Sequence, residues 1–175
     1  MSPETLDPRD FIRDIPDFPK PGVQFKDITP LLADPTAFRA SVERLAERYG
    51  DAGIHAIAAA EARGFLFAAP LALALRVPLV PLRKPGKLPY HTHSMKYDLE
   101  YGQAELHMHT DGVSPGQRVL MVDDVLATGG TMAAGCALVE RAGGVVVACA
   151  FLVELSFLAG RAKLAGRGVF SLLTY

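Results

Sequence analysis

One segment in the second half of the chain joins an apolar strand, two adjacent acids and a glycine-rich turn. Residues 119–122 are all apolar, which predicts a buried parallel strand. Asp123 and Asp124 follow at the predicted carboxyl end of that strand. The turn at residues 127–131 (Ala-Thr-Gly-Gly-Thr) then leads into an apolar-periodic helix that we expect over residues 132–141. A strand, turn and helix in this order are typical of an α/β sheet protein.

The residue types in this segment suit a phosphorylated sugar. In open α/β sheets, ligands bind outside the carboxyl ends of the strands, and the free amides of a helix N-terminus attract anions. Gly129 and Gly130 would let those amides approach a phosphate closely, and Thr128 and Thr131 add hydroxyl donors. The two acids could bind vicinal hydroxyls or a metal-bound sugar. The segment therefore indicates a ribose 5-phosphate site.

Two commoner phosphate motifs are excluded by the sequence of the turn. A Walker A loop requires Gly-Lys-Ser/Thr, and a dinucleotide fingerprint requires Gly-x-Gly-x-x-Gly, and neither is present. The doubled acid followed by the two-glycine turn resembles the phosphoribosyl-diphosphate (PRPP) binding motif of type I phosphoribosyltransferases. The alternative is an ordinary strand–turn–helix with a capped start.

Length, net charge and composition limit the class of protein to which this chain can belong. The 175 residues suffice for one domain with a substantial core. The net charge of −1 gives no argument for nucleic acid or a membrane surface as a partner. The N-terminus lacks the pattern of a signal peptide, no apolar run reaches membrane-spanning length, and Cys136 and Cys149 are expected to be buried and reduced. We therefore expect a cytoplasmic protein.

Strand and helix patterns alternate along the chain, which predicts an α/β fold with an open, twisted, mainly parallel sheet flanked by helices. The proline-rich start, residues 1–33, is expected to form a small hood. Residues 84–109 are expected to form a flexible lid, in which a long polar loop up to residue 96 precedes an exposed β-ribbon. We predict strands at 54–60, 77–82, 119–122 and 145–153, with helices at 64–75 and 132–141.

Two further polar segments follow predicted strands and so should reach the same edge of the sheet. Glu61-Ala62-Arg63-Gly64 starts a helix, where Arg63 could chelate a diphosphate. Arg83, Lys84 and Lys87 lie within five positions after the next strand. Charges in such a loop are often only solvated, but their place at this edge favours diphosphate binding, which could extend across a subunit interface.

Taken together, the motifs resemble the adenine phosphoribosyltransferase family from about Ile12 to the C-terminus. The motifs occur in order: Phe18-Pro-x-Pro-Gly-Val-x-Phe25-x-Asp27, Glu61-Ala-Arg-Gly-Phe, Arg83-Lys-x-Gly-Lys-Leu-Pro, Leu99-Glu-Tyr-Gly, Val122-Asp-Asp-x-Leu-Ala-Thr-Gly-Gly-Thr and Val153-Glu-Leu. Two positions depart from the family. Lys26 stands where arginine is common, and Ala59-Ala60 stands where a glycine-containing pair is usual.

The resemblance implies a fold, a reaction and a set of residue roles. The fold would be that of the type I phosphoribosyltransferases, and a homodimer is implied. The enzyme would transfer the phosphoribosyl group of PRPP to N9 of adenine with Mg²⁺, giving AMP and diphosphate. A cis peptide would join Glu61 and Ala62. The resemblance also implies which residues bind each part of the substrates. Ribose and phosphate would be bound by Asp123, Asp124, Ala127, Thr128, Gly129, Gly130 and Thr131, and diphosphate by Arg63, Arg83, Lys84 and Lys87. Adenine would be bound by Gln24, Phe25, Lys26 and Leu155, while Glu100 would accept the N9 proton and Tyr101 would belong to the lid.

Other interpretations remain open at this point. A sister enzyme for hypoxanthine or xanthine would share the PRPP motif, and so would a regulator that senses PRPP without catalysis. The pairs His91-x-His93 and His107-x-His109 invite a zinc site, but further ligands at metal spacing are not evident, so we interpret them as loop and ribbon residues.

Overall fold

The computed structural model describes residues 6–98 and 102–175, and the chain divides into two compact units, Met1–Arg44 and Leu45–Tyr175. In the first unit, a 3₁₀ turn at Pro8–Phe11 starts at Asp7, whose carboxylate accepts the Arg9 amide. The other elements named from this unit are strand β1 (Arg13–Pro16), strand β2 (Gln24–Asp27), helix α1 (Thr29–Ala33) and helix α2 (Pro35–Tyr49), whose last residues belong to the second unit.

The first unit is organised around an antiparallel pair of short strands. β1 pairs with β2, and Arg13 makes an ion pair of 2.8 Å with Asp27 across the pair. Phe18 and Phe25 meet edge to face with ring centroids 5.1 Å apart. Asp34 caps α2 by accepting the amides of Thr36 and Ala37, which orients the start of that helix.

The second unit is a five-stranded parallel sheet with the strand order β4-β3-β7-β8-β9, so the predicted α/β class and parallel sheet are confirmed. Helix α3 matches the predicted bounds, and the strands and the other helix for which bounds were predicted differ from them by a few residues. The elements are β3 (Ala56–Ala60), α3 (Gly64–Leu75), β4 (Leu79–Leu82), β5 (Thr92–Asp98), β6 (Gln103–His109), β7 (Arg118–Leu126), α4 (Gly130–Arg141), β8 (Val145–Glu154) and β9 (Gly168–Thr174).

The strand order reverses direction between β3 and β7. The chain leaves β3 through α3 toward one edge of the sheet and leaves β7 through α4 toward the other. Because such crossovers are right-handed, the two helices cover opposite faces. Side chains of β7 agree with this arrangement, since Val119 and Met121 join the core beneath α4 and the intervening Leu120 does not. A crevice between β3 and β7 is the usual ligand position in a sheet of this kind.

The β-ribbon of β5 and β6 differs from the exposed lid that the sequence predicted. β5 begins at Thr92, so the polar loop is shorter than expected. Leu106 and Met108 are buried in the core beside α4, because alternate residues of β6 face inward. The ribbon is also joined to β4 by paired hydrogen bonds between the backbones of Arg83 and His107. Its base is therefore part of the packed domain.

Cys136 and Cys149 are buried without a disulfide, as predicted, with their sulfur atoms 3.6 Å apart. Within residues 6–98 and 102–175, no helix is both long enough and apolar enough to span a bilayer.

Candidate active site

The carboxyl ends of β3 and β7 meet at the point where the strand order reverses. The register pairs Ala59 with Val122, so Glu61 and Arg63 follow β3 at the level of the acids of β7. Each of the two strands then turns into a helix N-terminus. Two sets of helix-start amides consequently lie at one edge of the sheet, which favours an anionic ligand there.

Residues 127–131, which we call the phosphate loop, connect β7 to α4. Gly129 has a φ of 78°, which a side-chain-bearing residue adopts only with strain, and it occupies the N-cap position of α4. Because the N-cap is a glycine, it has no side chain to occupy the amides of the first turn. The loop lines a small cavity of about 70 Å³ together with Asp123 and Phe151. Its backbone donors are therefore arranged around a concave surface.

Asp123 and Asp124 lie inside β7, which continues to Leu126, so the predicted strand end before these acids was wrong. The strand continues because Val125 and Leu126 pair with Val153 and Glu154 of β8. The two carboxylates, being neighbours on a strand, point to opposite faces of the sheet.

The electrostatics of this acid pair are unfavourable in the free protein. Loss of hydration raises the pKa of the Asp123 carboxyl well above its ordinary value, and the adjacent charge of Asp124 raises it further. Asp124 is buried and has Arg63 as its ionic partner, with Nε 2.8 Å from Oδ2. That contact has the distance of an ion pair without hydrogen-bond alignment, since Oδ2 has no hydrogen-bond partner among the described residues. A ligand hydroxyl could supply the missing donor.

Gly64 allows the start of α3 to lie directly against this acid pair. A Cβ at that position would come within 2.8 Å of Oδ1 of Asp123 and 3.3 Å of the Val122 carbonyl oxygen. Any larger residue would push Arg63 and the helix away from β7. The glycine of the Glu-Ala-Arg-Gly motif therefore has a packing reason in the fold.

Glu61 connects the ends of β3 and β4. Its Oε2 accepts Nη2 of Arg83 at 2.8 Å, and its Oε1 accepts the Lys84 amide at 2.6 Å. Partial burial alone would raise the pKa of Glu61, but these donors outweigh it and hold the pKa below its ordinary value. The peptide bond between Glu61 and Ala62 is cis, in agreement with the family resemblance.

The remaining predicted residues occupy several places. Lys84 and Lys87 are exposed, and Lys84 lines a cavity of about 510 Å³ beside the ribbon. Leu155 follows β8, where its amide donates to the Leu126 carbonyl at 2.9 Å, next to the end of β7. Gln24, Phe25 and Lys26 belong to β2 in the first unit, and Glu100 and Tyr101 fall outside the described residues.

One supporting segment was missed by reasoning from the sequence. Gly160 packs its backbone against the phosphate loop, and the adjacent Arg161 is bound to Glu154. Glu154 is buried, and the Arg161 guanidinium holds the pKa of that carboxyl below its ordinary value. These residues belong to no phosphate-binding motif, so only their packing reveals them.

This sheet, with paired acids and a helix-start loop at its switch point, defines a protein of the phosphoribosyltransferase class. The phosphoribosyl transferase domain family matches residues 29–167. An adenine phosphoribosyltransferase of Kosmotoga olearia is 59% identical over 167 residues, which are 95% of this chain and 98% of the relative. The chain belongs to the adenine phosphoribosyltransferase family.

Solved structures agree with this assignment. The crystal structure of adenine phosphoribosyltransferase from Thermoanaerobacter pseudethanolicus has a TM-score of 0.93 and 55% identity, covering 95% of this chain and 97% of that one. The Saccharomyces cerevisiae enzyme, complexed with adenine and an imino-altritol bisphosphate, has a TM-score of 0.89 and 37% identity. The match covers 94% of this chain and 96% of that one.

Proposed function

We propose that this protein transfers the 5-phosphoribosyl group of PRPP to N9 of adenine, producing AMP and diphosphate. The observation that carries the proposal is the phosphate loop at the switch point, beside a buried carboxylate oxygen that has no hydrogen-bond donor among the described residues. Membership of the adenine phosphoribosyltransferase family selects adenine as the base.

The anionic ends of PRPP would occupy the two helix starts. The phosphate loop, from Ala127 to Thr131, would hold the 5-phosphate through backbone amides and threonine hydroxyls. Arg63, Arg83, Lys84 and Lys87 would hold the leaving diphosphate. Arg63 and Arg83 are supported in this role by their places after β3 and β4, where Asp124 and Glu61 hold them in defined positions.

The acid pair would act on the ribose. Asp123 and Asp124 would accept hydrogen bonds from the ribose hydroxyls, which supplies Oδ2 of Asp124 with a donor. As the bond from C1 to diphosphate breaks, positive charge develops on the ring. A carboxylate pair held close to that charge stabilises the transition state more than the ground state.

Base recognition would use β2 and Leu155. In the proposed complex, a backbone carbonyl and a backbone amide around Gln24 to Lys26 would contact the base at fixed spacing. Adenine presents a donor at N6 and an acceptor at N1, whereas hypoxanthine presents the reverse. Phe25 and Leu155 would contact the faces of the ring, with Gln24 and Lys26 beside it.

The proton on N9 must leave as the new bond to C1 forms. Glu100 is the proposed acceptor and Tyr101 its neighbour on the lid, because the family motif Leu-Glu-Tyr-Gly falls on these residues.

Magnesium would enter with the substrate. Among the described residues, no group of three or more His, Cys, Asp or Glu side chains could hold a metal ion. Mg²⁺ commonly takes most of its ligands from substrate phosphates and water, so this oxygen-rich edge suits a metal carried by PRPP. When bound, it would neutralise charge on the leaving diphosphate.

A homodimer is the proposed assembly, and α3 is the proposed contact surface. This helix carries no charged residue between Gly64 and Leu75, and its outer side chains Leu66 and Leu73 are 42% and 82% exposed. An apolar face on a helix without charges is unusual for a free surface and favours burial against a second copy.

One assay separates the candidate functions. Diphosphate release from PRPP would be measured with adenine, hypoxanthine, guanine and orotate supplied separately. We expect kcat/KM for adenine to exceed that for hypoxanthine by at least about a hundredfold, since two hydrogen-bond polarities are reversed. Comparable use of hypoxanthine would indicate a broad purine enzyme. Binding of PRPP by calorimetry without release by any base would indicate a PRPP-sensing regulator.

A further inference from the structure

The segment after β8 supports the phosphate loop through a direct contact between two backbones. A Cβ on Gly129 would overlap the carbonyl oxygen of Gly160, and a Cβ on Gly160 would overlap the carbonyl oxygen of Ala127. No side chain can fit between these two stretches of backbone. The position of Gly160 therefore fixes the position of the phosphate loop.

Gly160 is itself anchored by the residue that follows it. Arg161 binds Glu154 with both sides of its guanidinium, Nε to Oε1 at 2.6 Å and Nη2 to Oε2 at 2.6 Å. Its Nη1 also donates to the Val169 carbonyl at 3.2 Å, and Ser171 Oγ donates to Oε2 of Glu154 at 2.7 Å. A forked guanidinium–carboxylate pair on a buried carboxylate is strongly directional, so it limits how far the Gly160 backbone can move.

Leu155, which would contact adenine in the proposed complex, is held by a backbone hydrogen bond of its own. The amide of Leu155 donates to the Leu126 carbonyl at 2.9 Å, which extends the pairing of β7 with β8 by one residue. A change in the Glu154–Arg161 pair should therefore move Gly160 more than it moves Leu155.

We propose that Glu154 and Arg161 are positioning residues for the 5-phosphate of PRPP, acting through Gly160 on the phosphate loop. The proposal rests on the proposed function, because it assumes that the loop binds this phosphate. Backbone amides bind an anion through their fixed geometry, and a displacement of about 1 Å in such a site can cost about a hundredfold in rate. The effect should appear in PRPP binding while adenine binding is retained.

Three variants test the chain of contacts. Arg161→Met removes the fork and keeps an unbranched side chain, Arg161→Lys keeps the charge without the fork, and Gly160→Ala displaces the loop while the ion pair remains. We expect Arg161→Met and Gly160→Ala to raise the KM for PRPP about tenfold or more, with the KM for adenine at saturating PRPP changed less than about twofold. The KM for PRPP of Arg161→Lys should lie between the values for these two variants and the value for the unmodified protein.

A second forked pair in the same unit provides the control. Arg167 binds Glu140 near the C-terminal end of α4, with Nε to Oε1 at 3.1 Å and Nη2 to Oε2 at 2.9 Å. Arg167→Met should lower the thermal stability without changing the KM for PRPP.

The proposal is overturned if Arg161→Met and Gly160→Ala leave the KM for PRPP unchanged, or if the KM values for PRPP and adenine rise in parallel. If circular dichroism shows that Arg161→Met does not fold, Arg161→Lys and Gly160→Ala decide the matter by the same criteria. Calorimetry on the unmodified protein distinguishes a failure of the proposed function from a failure of the positioning role. Absence of PRPP binding there refutes the proposed function, whereas normal binding with unaffected variants refutes only the positioning role.

Discussion

At the scale of single residues, the site combines acidic side chains whose burial lowers the stability of the free protein with glycines at which a side chain would collide with neighbouring atoms. Asp123 is a half-buried acid next to the buried Asp124, and its raised pKa means that folding disfavours its ionised form. Gly64 and Gly129 admit backbone where a side chain would collide. Such local costs are common where a protein is shaped for a ligand.

Replacing Asp123 with asparagine should stabilise the free protein. The sign follows from the direction of the pKa shift, because a carboxyl whose pKa is raised on folding lowers the stability once the pH exceeds its ordinary pKa in the unfolded chain, as it does at pH 7. The Asp123→Asn variant keeps the oxygen that accepts the Asp124 amide and removes the charge. We expect the Tm at pH 7 to rise, by roughly 2–4 °C for each kcal/mol gained, and PRPP to lose most of its stabilising effect. A lower Tm in thermal unfolding without ligand would contradict this account.

Replacing Gly129 with alanine should weaken PRPP binding for a reason beyond backbone strain. Gly129 and Gly116 have φ values of 78° and 76°, but only at Gly129 would a Cβ strike another backbone, whereas Gly116 faces open space. Both substitutions should cost about 1 kcal/mol of conformational strain. We expect calorimetry to show at least about a tenfold weaker PRPP affinity for Gly129→Ala alone. Equal affinities in the two variants would remove the loop from the phosphate site.

At the scale of elements, the ribbon of β5 and β6 combines a packed base with the segment to which a lid role is proposed. Its base is packed, with Leu106 and Met108 buried in the core, and the hydroxyl of Tyr97 accepts a bond of 3.4 Å from Thr131 of the phosphate loop. The segment between the strands carries the Leu-Glu-Tyr-Gly motif. The packed base therefore places Tyr97 of β5 beside the phosphate loop.

Glu100→Gln tests the proton-accepting role assigned to this motif. Glutamine keeps the size of the side chain but cannot take the N9 proton, so kcat should fall about 10²–10⁴-fold with PRPP affinity nearly unchanged. Single-turnover measurements are needed, because product release can mask the chemical step. Glu105→Gln, at an acid within β6, is the matched control and should retain full activity. Unchanged single-turnover rates for Glu100→Gln would show that the proton leaves by another route.

At the scale of the whole molecule, the exposed face of α3 lies on the helix that begins with Arg63 and Gly64. A dimer formed through this face would bring a second subunit to the helix whose N-cap is Arg63, a residue proposed to bind diphosphate. Assembly and substrate binding would then share one element.

Leu73→Lys tests the proposed assembly. The side chain is 82% exposed, so a lysine should cost little in a monomer, but it would place an unpaired charge in a dimer interface. Sedimentation velocity should show monomers for this variant at concentrations where the unmodified protein is dimeric. Val145→Lys, at another exposed apolar residue, should leave the dimer intact. Dimerisation unaffected by Leu73→Lys would place the interface elsewhere.

Much of the fold and of the ligand edge could be predicted from local sequence. The apolar runs of β3, β7 and β8 are long enough to identify strands, and the bounds of α3 were predicted correctly. The acids, glycines and threonines from Asp123 to Thr131 predicted a turn before a helix at the ligand edge, and the structure places that turn between β7 and α4; its binding of phosphate stays a prediction. The continuation of β7 beyond Val122 was missed, since pairing with β8 keeps polar residues in a strand.

Local sequence was thus enough to predict the parallel sheet, the glycine-rich turn after β7 and the residue types at the switch point. Tertiary contacts were needed to show that Gly160 supports the loop, that Glu154 anchors Arg161, and that Leu106 and Met108 belong to the core. The physical reason is distance along the chain. Gly160 and Gly129 are brought together only when β8 pairs with β7, and a contact of that kind leaves no periodic or compositional pattern in the sequence.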